Sequence, residues 1–205
     1  MPHPRLPTDT DDGMLLIISG PSGVGKTTIT RGVERSIPGS VFSVSCTTRP
    51  RTPADVEGVD YHFVSRDEFL AMQARGEFLE SADVFGNLYG TPRPWVEEHL
   101  ARGRLVILEI DVQGAIQVKR AIPDAFAVFI LPPSEDVLLQ RLRDRKREDE
   151  RTIQRRFAEA RREIELAHSS GAYDLFLINK DLHQAIEKAV EAVRIARSRR
   201  SRTLG

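Results

Sequence analysis

The segment GPSGVGKT at residues 20–27 constrains this chain more than any other, because an apolar run precedes it and a helical stretch follows. It matches G-x-x-x-x-G-K-[ST] in full. Its glycines let the backbone turn N–H groups inward around phosphate oxygens, at a helix amino terminus whose dipole favours an anion. Lys26 then supplies a point charge to the outer phosphates, and the Thr27 hydroxyl becomes a ligand for Mg2+. Gly20, Pro21, Ser22, Gly23, Val24, Gly25, Lys26, Thr27 and Thr28 are therefore expected to cradle a nucleoside triphosphate. A chance glycine turn with a surface lysine would not carry both flanks. The loop alone does not say what the phosphate is for, since switches, transporters, motors and small-molecule kinases share it.

The rest of the chain repeats one rhythm. Apolar runs lie at 14–19, 104–110 (RLVILEI), 125–131 (AFAVFIL) and 174–178 (DLFLI), each followed by a helical segment. Leu182, Ala185, Ile186, Ala189, Val190 and Val193 form one stripe at helical spacing. Ile153, Phe157, Ala160, Ile164 and Ala167 form another, with arginines and glutamates opposite. Such recurrence predicts an α/β fold, a doubly wound parallel sheet with ligands at the carboxyl ends of its strands. Residues 41–94 break the rhythm with strand-like pieces at 61–64 and 78–84. Between them a short helix is marked by a capping box, Ser65 with Glu68, and a stop at Gly76. This span reads as a mixed α+β insertion in a domain of 13–200, whose core is 13–40 and 95–200. The proline-rich residues 1–12 and the last residues, 201–205, read as tails.

Composition excludes other classes. Thirty basic side chains balance thirty acidic ones, which argues against a whole-surface nucleic-acid binder. The arginine-rich end at 197–205 reads as a solvated helix end rather than a nucleic-acid arm. One cysteine, Cys46, closes no internal disulfide and points to a reducing, cytoplasmic setting. The apolar run near the start is too short to span a membrane. Five histidines show no ligand spacing, which argues against a protein-held zinc.

Three clusters narrow the chemistry: SVSCTTRPR at 43–51 with DYHF at 60–63, EFLE at 77–80 with GNLYGT at 86–91, and LEIDVQG at 108–114. In this order, behind the phosphate loop, they resemble the guanylate kinase family over residues 14 to about 196. The resemblance implies a P-loop kinase core, a GMP-binding insertion and a helical lid at about 141–156. It implies ATP as co-substrate, with Asn179 near the adenine, and Mg2+ at Thr27 with phosphate oxygens, water and Asp111 as a further candidate. Ser45, Arg49, Arg51, Tyr61 and Tyr89 would grip the GMP phosphate. Glu80 would accept the guanine N1–H and 2-amino donors together, and Thr91 would take the O6 side. Asp111 would sit between the nucleotides, and Lys26, Arg49, Arg141, Arg145 and Arg156 would stabilise the transferring phosphoryl group.

Plainer readings stand beside these. Tyr61 also fits ordinary strand packing, Glu80 a solvent-facing strand carboxylate, and the lid arginines a solvated helix corner. Glu109, two residues before Asp111, has a less certain role. The family's second arginine would align with Thr52, while Arg51 stands one position early. Either Arg51 reaches the phosphate from a shifted loop or the loop grips more weakly. Lys146 stands where the family often has glycine. The implied reaction, reversible transfer of the ATP γ-phosphoryl group to GMP, needs no general base. The rivals are a ribose-bisphosphate-type kinase of the same fold, a non-catalytic phosphopeptide-binding module and a nucleic-acid-binding ATPase. GMP and ATP are the expected partners, without nucleic acid or membrane; oligomeric state is not legible.

Overall fold

The computed structural model describes residues 13–84, 86–144 and 149–203, with side chains to residue 200. Strand β1 (Met14–Ser19) lies at the centre of a five-stranded parallel sheet with β2 (Val41–Phe42), β7 (Leu105–Glu109), β8 (Phe126–Leu131) and β9 (Leu175–Ile178). The order is β2-β7-β1-β8-β9. All six residues of β1 are buried, as a central strand covered on both faces requires. Alternate side chains serve opposite faces. Met14, Leu16 and Ile18 meet Ile29 and Val33 of α1 (Lys26–Ser36) and Ala185, Ala189 and Val193 of α7 (Leu182–Thr203). Leu15 and Ile17 meet Val96 of α3 (Arg93–Ala101) and Ala115 and Val118 of α4 (Val112–Ala121). The sheet is therefore doubly wound, and each fully buried Leu or Ile contributes roughly 1.5–3 kcal/mol.

Three further apolar runs of the sequence form β7, β8 and β9. The fifth strand is one that periodicity does not show. Val41 pairs with Val106 and Phe42 with Ile107, at the edge of the main sheet. Two residues are too few to display a period. From β1 the chain leaves toward one edge, and from β8 toward the other, so these neighbours part above a crevice at their carboxyl ends.

A second sheet holds β3 (Cys46–Thr47), β4 (His62–Phe63), β5 (Phe78–Val84) and β6 (Asn87–Pro92) in the order β4-β3-β6-β5. Its small core joins Cys46, Phe69 and Phe78, the two rings stacked at 4.4 Å. Burial pushes the Cys46 thiol up to about 11, as a packed and unreactive side chain should be. Phe69 comes from α2 (Arg66–Ala74), which starts where the capping residues predict: Ser65 Oγ accepts from the Glu68 backbone N–H at 3.1 Å. The two remaining helices, α5 (Glu135–Asp144) and α6 (Glu150–Ser170), bury Leu138, Leu142, Ile153 and Ala160 against each other. The expected stripe on α6 thus splits, with Ala167 going to Val112 and Phe129.

Helices α1 and α7 approach through Gly32. A Cβ there would lie 2.6 Å from the Ile186 side chain. Gly32→Ala should gain about 1 kcal/mol of helix propensity and lose more to overpacking, a net destabilisation on the order of 1 kcal/mol in urea unfolding. Ile186→Ala in the same chain should recover part of it; an unchanged midpoint for Gly32→Ala would show that these helices part freely.

Candidate active site

The phosphate loop leaves β1 and enters α1 through Gly25, whose φ of 96° is left-handed, and no side chain caps this helix. Helices α2, α4 and α6 are capped instead by Ser65, Asp111 and Asp149 oxygens. The first N–H groups of α1 therefore remain available to an anion. Lys26 Nζ donates to the Gly20 and Pro21 carbonyls at 2.5 and 3.1 Å, which holds it over the loop. Thr27 Oγ1 donates to Glu109 Oε1 at 2.7 Å. That contact gives Glu109, whose role the sequence leaves open, a place beside the loop.

Asn179 lies beneath this loop. It is 5% exposed, its backbone N–H donates to Leu131 O and its Nδ2 donates to Val24 O, both at 2.8 Å. The amide expected beside an adenine is turned in against the loop and braces it. Its position in the chain, straight after a strand, fits either use.

Across the cleft, β5 and β6 place Glu80 opposite Thr91. Glu80 is 5% exposed, and its Oε1 accepts from Thr91 Oγ1 at 2.6 Å. Burial pushes its carboxyl up to about 7, with the Asp111 charge adding and the Thr91 hydrogen bonds opposing. A solvent-facing carboxylate is thereby ruled out. Oε2 lies so near Gly114 that a Cβ there would approach it to 2.6 Å. Gln117, one helical turn on, clips β5 to α4: Nε2 donates to Ser81 O at 3.0 Å, and Oε1 accepts from Ser81 N at 3.3 Å. Asp111 Oδ1 accepts from Gly114 N at 2.7 Å and caps α4, so its carboxylate has a structural duty besides facing the cleft.

Tyr61 and Tyr89 meet edge to face at 5.6 Å. The Arg49 guanidinium lies 5.3 Å from the Tyr61 ring centre and pairs with both oxygens of Asp55, at 3.0 and 2.8 Å. Arg51 does not join them. Its Nε and Nη2 donate to the Asp55 carbonyl at 3.1 and 3.0 Å. Thr52, through its N–H and hydroxyl, donates to Asp55 Oδ2 at 2.6 and 2.7 Å.

One cavity of ≈ 420 Å³ is lined by Lys26 together with Ser45, Tyr61, Tyr89 and Glu80. That volume is within the range of small-molecule sites. Asp111 and Arg156 line it as well. Arg156 Nη2 donates to Ser22 Oγ at 3.0 Å, which carries α6 onto the phosphate loop. Arg141 Nη2 donates to the Asn179 carbonyl at 3.0 Å and does not line the cavity. Arg145 and Lys146 lie outside the described residues.

Sequence reasoning missed Glu159 and Glu163, which α6 turns into the same cavity. Burial pushes Glu163 up to about 7, with Lys26 opposing and Asp111 and Glu159 adding. Their spacing of three and seven residues from Arg156 was the available signal, hidden in a helix rich in charge. Asp55 was missed because nothing in its short loop marks which partners it gathers. Among the described residues, no three His, Cys, Asp or Glu side chains come together as a metal site.

Gly114→Ala isolates the Glu80 contact, because alanine by itself favours the helix by about 1 kcal/mol. The added methyl should drive the carboxylate out of its buried seat and lower its titration midpoint from about 7, read by carboxyl carbon NMR. An unmoved midpoint would mean that Gly114 imposes nothing on Glu80.

The comparisons with known proteins agree. The family model described as guanylate kinase matches residues 12–196. The guanylate kinase of Neisseria gonorrhoeae is 48% identical over 193 residues, covering 94% of this chain and 93% of the relative. That of Symbiobacterium thermophilum is 48% identical over 174 residues, covering 85% and 81%. The crystal structure of guanylate kinase from Anaplasma phagocytophilum superimposes with a TM-score of 0.74 at 33% identity, covering 92% of this chain and 88% of that one. Fold, cleft and relatives converge: the chain belongs to the guanylate kinase family.

Proposed function

We propose that the chain transfers the γ-phosphoryl group of ATP to GMP, giving ADP and GDP. The carrying observation is the single cavity that runs from Lys26 of the phosphate loop to Glu80 of the inserted sheet. A triphosphate at the uncapped end of α1 and a monophosphate nucleotide against β5 and β6 would bring their phosphates together there. In this reading the insertion is the GMP-binding unit, beginning after Val41 and Phe42, which pair into the main sheet as β2, and the corner of about 141–156 is the lid.

The residues divide the work as follows. Backbone N–H groups of the loop and Lys26 hold the ATP phosphates. Glu80, ionised, accepts the N1–H and 2-amino donors of guanine, and Thr91 orients that carboxylate. Adenine lacks this donor pair and would leave a buried carboxylate unpaired, at a cost on the order of a few kcal/mol. Tyr61, Tyr89, Ser45 and Arg49 receive the GMP phosphate. Its second ionisation lies near pH ~6, so the attacking oxygen is already anionic at neutral pH and needs no base. Arg156, and Arg141 with it on closure, neutralise charge that spreads over the equatorial oxygens.

Mg2+ fits the donors present. Thr27 donates its hydroxyl hydrogen bond to Glu109, which leaves the oxygen lone pairs for a hard cation, and Asp111 faces the same cavity. When bound, the ion neutralises charge on the β- and γ-phosphates. Thr27, with Asp111 as a further candidate, would hold it together with phosphate oxygens and water.

A coupled ADP-release assay with GMP, AMP and ribose 1,5-bisphosphate tests the reading directly; turnover on AMP or on the sugar phosphate in preference to GMP would overturn it. Lys26→Ala should lower kcat by about 10²–10³-fold and leave GMP affinity nearly unchanged. The pH dependence follows from Glu80. Below about 7 its carboxyl is protonated and loses one acceptor site for the guanine donors, so guanosine affinity should fall as pH drops through 7. Guanosine is the right probe because the GMP phosphate titrates nearby at ~6. Glu80→Gln should flatten this dependence and erode discrimination against adenosine.

A further inference from the structure

We propose that Asp55 is the positioning residue of the substrate-phosphate grip, presenting Arg49 as its single arginine while Arg51 and Thr52 close the loop. The inference rests on the reading of Arg49 as a ligand of the GMP phosphate.

Asp55 collects six hydrogen bonds from three residues: two from Arg49, two from Arg51 and two from Thr52. The pattern of those bonds is uneven. Arg49 spends its end-on fork, Nη1 and Nη2, on the Asp55 carboxylate. Its Nε hydrogen-bonds to no described residue, so the side-on fork of Nε and the outer Nη2 hydrogen is left to donate to a second oxyanion. Arg51 does the reverse. It spends its side-on fork, Nε and Nη2, on the Asp55 carbonyl. Thr52, where the family's second arginine would align, is consumed by Asp55 Oδ2.

Arg49 does not itself line the cavity, but it packs against an aromatic ring that does. It lies 5.3 and 5.4 Å from the Tyr61 and Phe63 ring centres, and Tyr61 lines the cavity. Two aromatic faces and one carboxylate thus fix a side chain that otherwise has many rotamers, before substrate arrives. The Arg49 fork, then the Thr52 N–H and hydroxyl, hold the Asp55 carboxyl well below the usual carboxylate range, so the pair is ionised throughout the neutral region. The shifted arginine spacing read from the sequence thereby finds a reason: the residue at 52 is needed to close the turn on Asp55, and Asp55 is needed to aim Arg49.

The test compares GMP with guanosine, which shares the base and ribose but lacks the phosphate. In the full-length protein, Asp55→Asn keeps the shape and removes the charge. It should raise KM for GMP about tenfold, roughly one charge-assisted hydrogen bond, and leave KM for ATP and guanosine affinity unchanged. Asp55→Glu should restore part of the loss. In an Arg49→Ala background Asp55→Asn should add nothing, and Arg51→Ala alone should weaken GMP less than Arg49→Ala. Tighter GMP binding by Asp55→Asn would make Asp55 a brake on Arg49 and overturn the proposal. Equal weakening of GMP and guanosine would reduce it to a folding role and overturn it too. Failure of the wild type to phosphorylate GMP would instead sink the parent reading, an outcome that the same assay separates.

Discussion

An α-helix that begins without a cap, at the carboxyl edge of the most buried strand, is the constraint on which the rest of this structure depends. No side chain caps the start of α1, whereas α2, α4 and α6 each spend an oxygen on theirs. A helix end left this way calls for an anion. The surroundings keep it open yet rigid. Asn179 supports the loop from below through the Val24 carbonyl, and Arg156 reaches it from α6 through Ser22. Lys26 meanwhile rests on carbonyls of the same loop.

The opposite half of the cleft is built on a different expense. Glu80 is a carboxylate nearly removed from water, and such burial is costly unless a ligand or partner answers the charge. Thr91 answers part of it, and no other hydrogen bond reaches the carboxylate among the described residues. Both halves are tied to one short stretch, the turn from β7 into α4. Glu109 there holds Thr27, Asp111 caps α4, Gly114 makes room for Glu80 and Gln117 binds β5. Nine residues of chain, 109–117, thus tie the phosphate loop to the inserted sheet, and LEIDVQG at 108–114 is informative as a unit because it holds three of these four residues.

Much of this was legible in the sequence, because it depends on local rules. The phosphate loop needs glycines at fixed intervals, and the buried strands need unbroken apolar runs. Glu80, Tyr61, Tyr89 and Ser45 were identified through family resemblance and meet in one cavity. Arg51 was named by the same route, and an aligned arginine does not reveal which atoms its fork will meet; here the fork meets the Asp55 carbonyl. Val41–Phe42 was too short to show a period, and Glu159 and Glu163 were camouflaged by a helix dense in charge. Asn179 was found, but its amide faces inward under the loop.

By itself the sequence determined the order of the long core strands and the glycine-rich phosphate loop at 20–27. These follow from periodicity, backbone freedom and side-chain chemistry, which act over a few positions. Only the tertiary structure decided that Glu109 meets Thr27 across 82 residues, that Glu80 is buried against Gly114, and that Asp55 gathers a whole loop around Arg49. Those contacts depend on how sheets and helices stack, and packing is a property of surfaces that no short stretch of chain possesses alone.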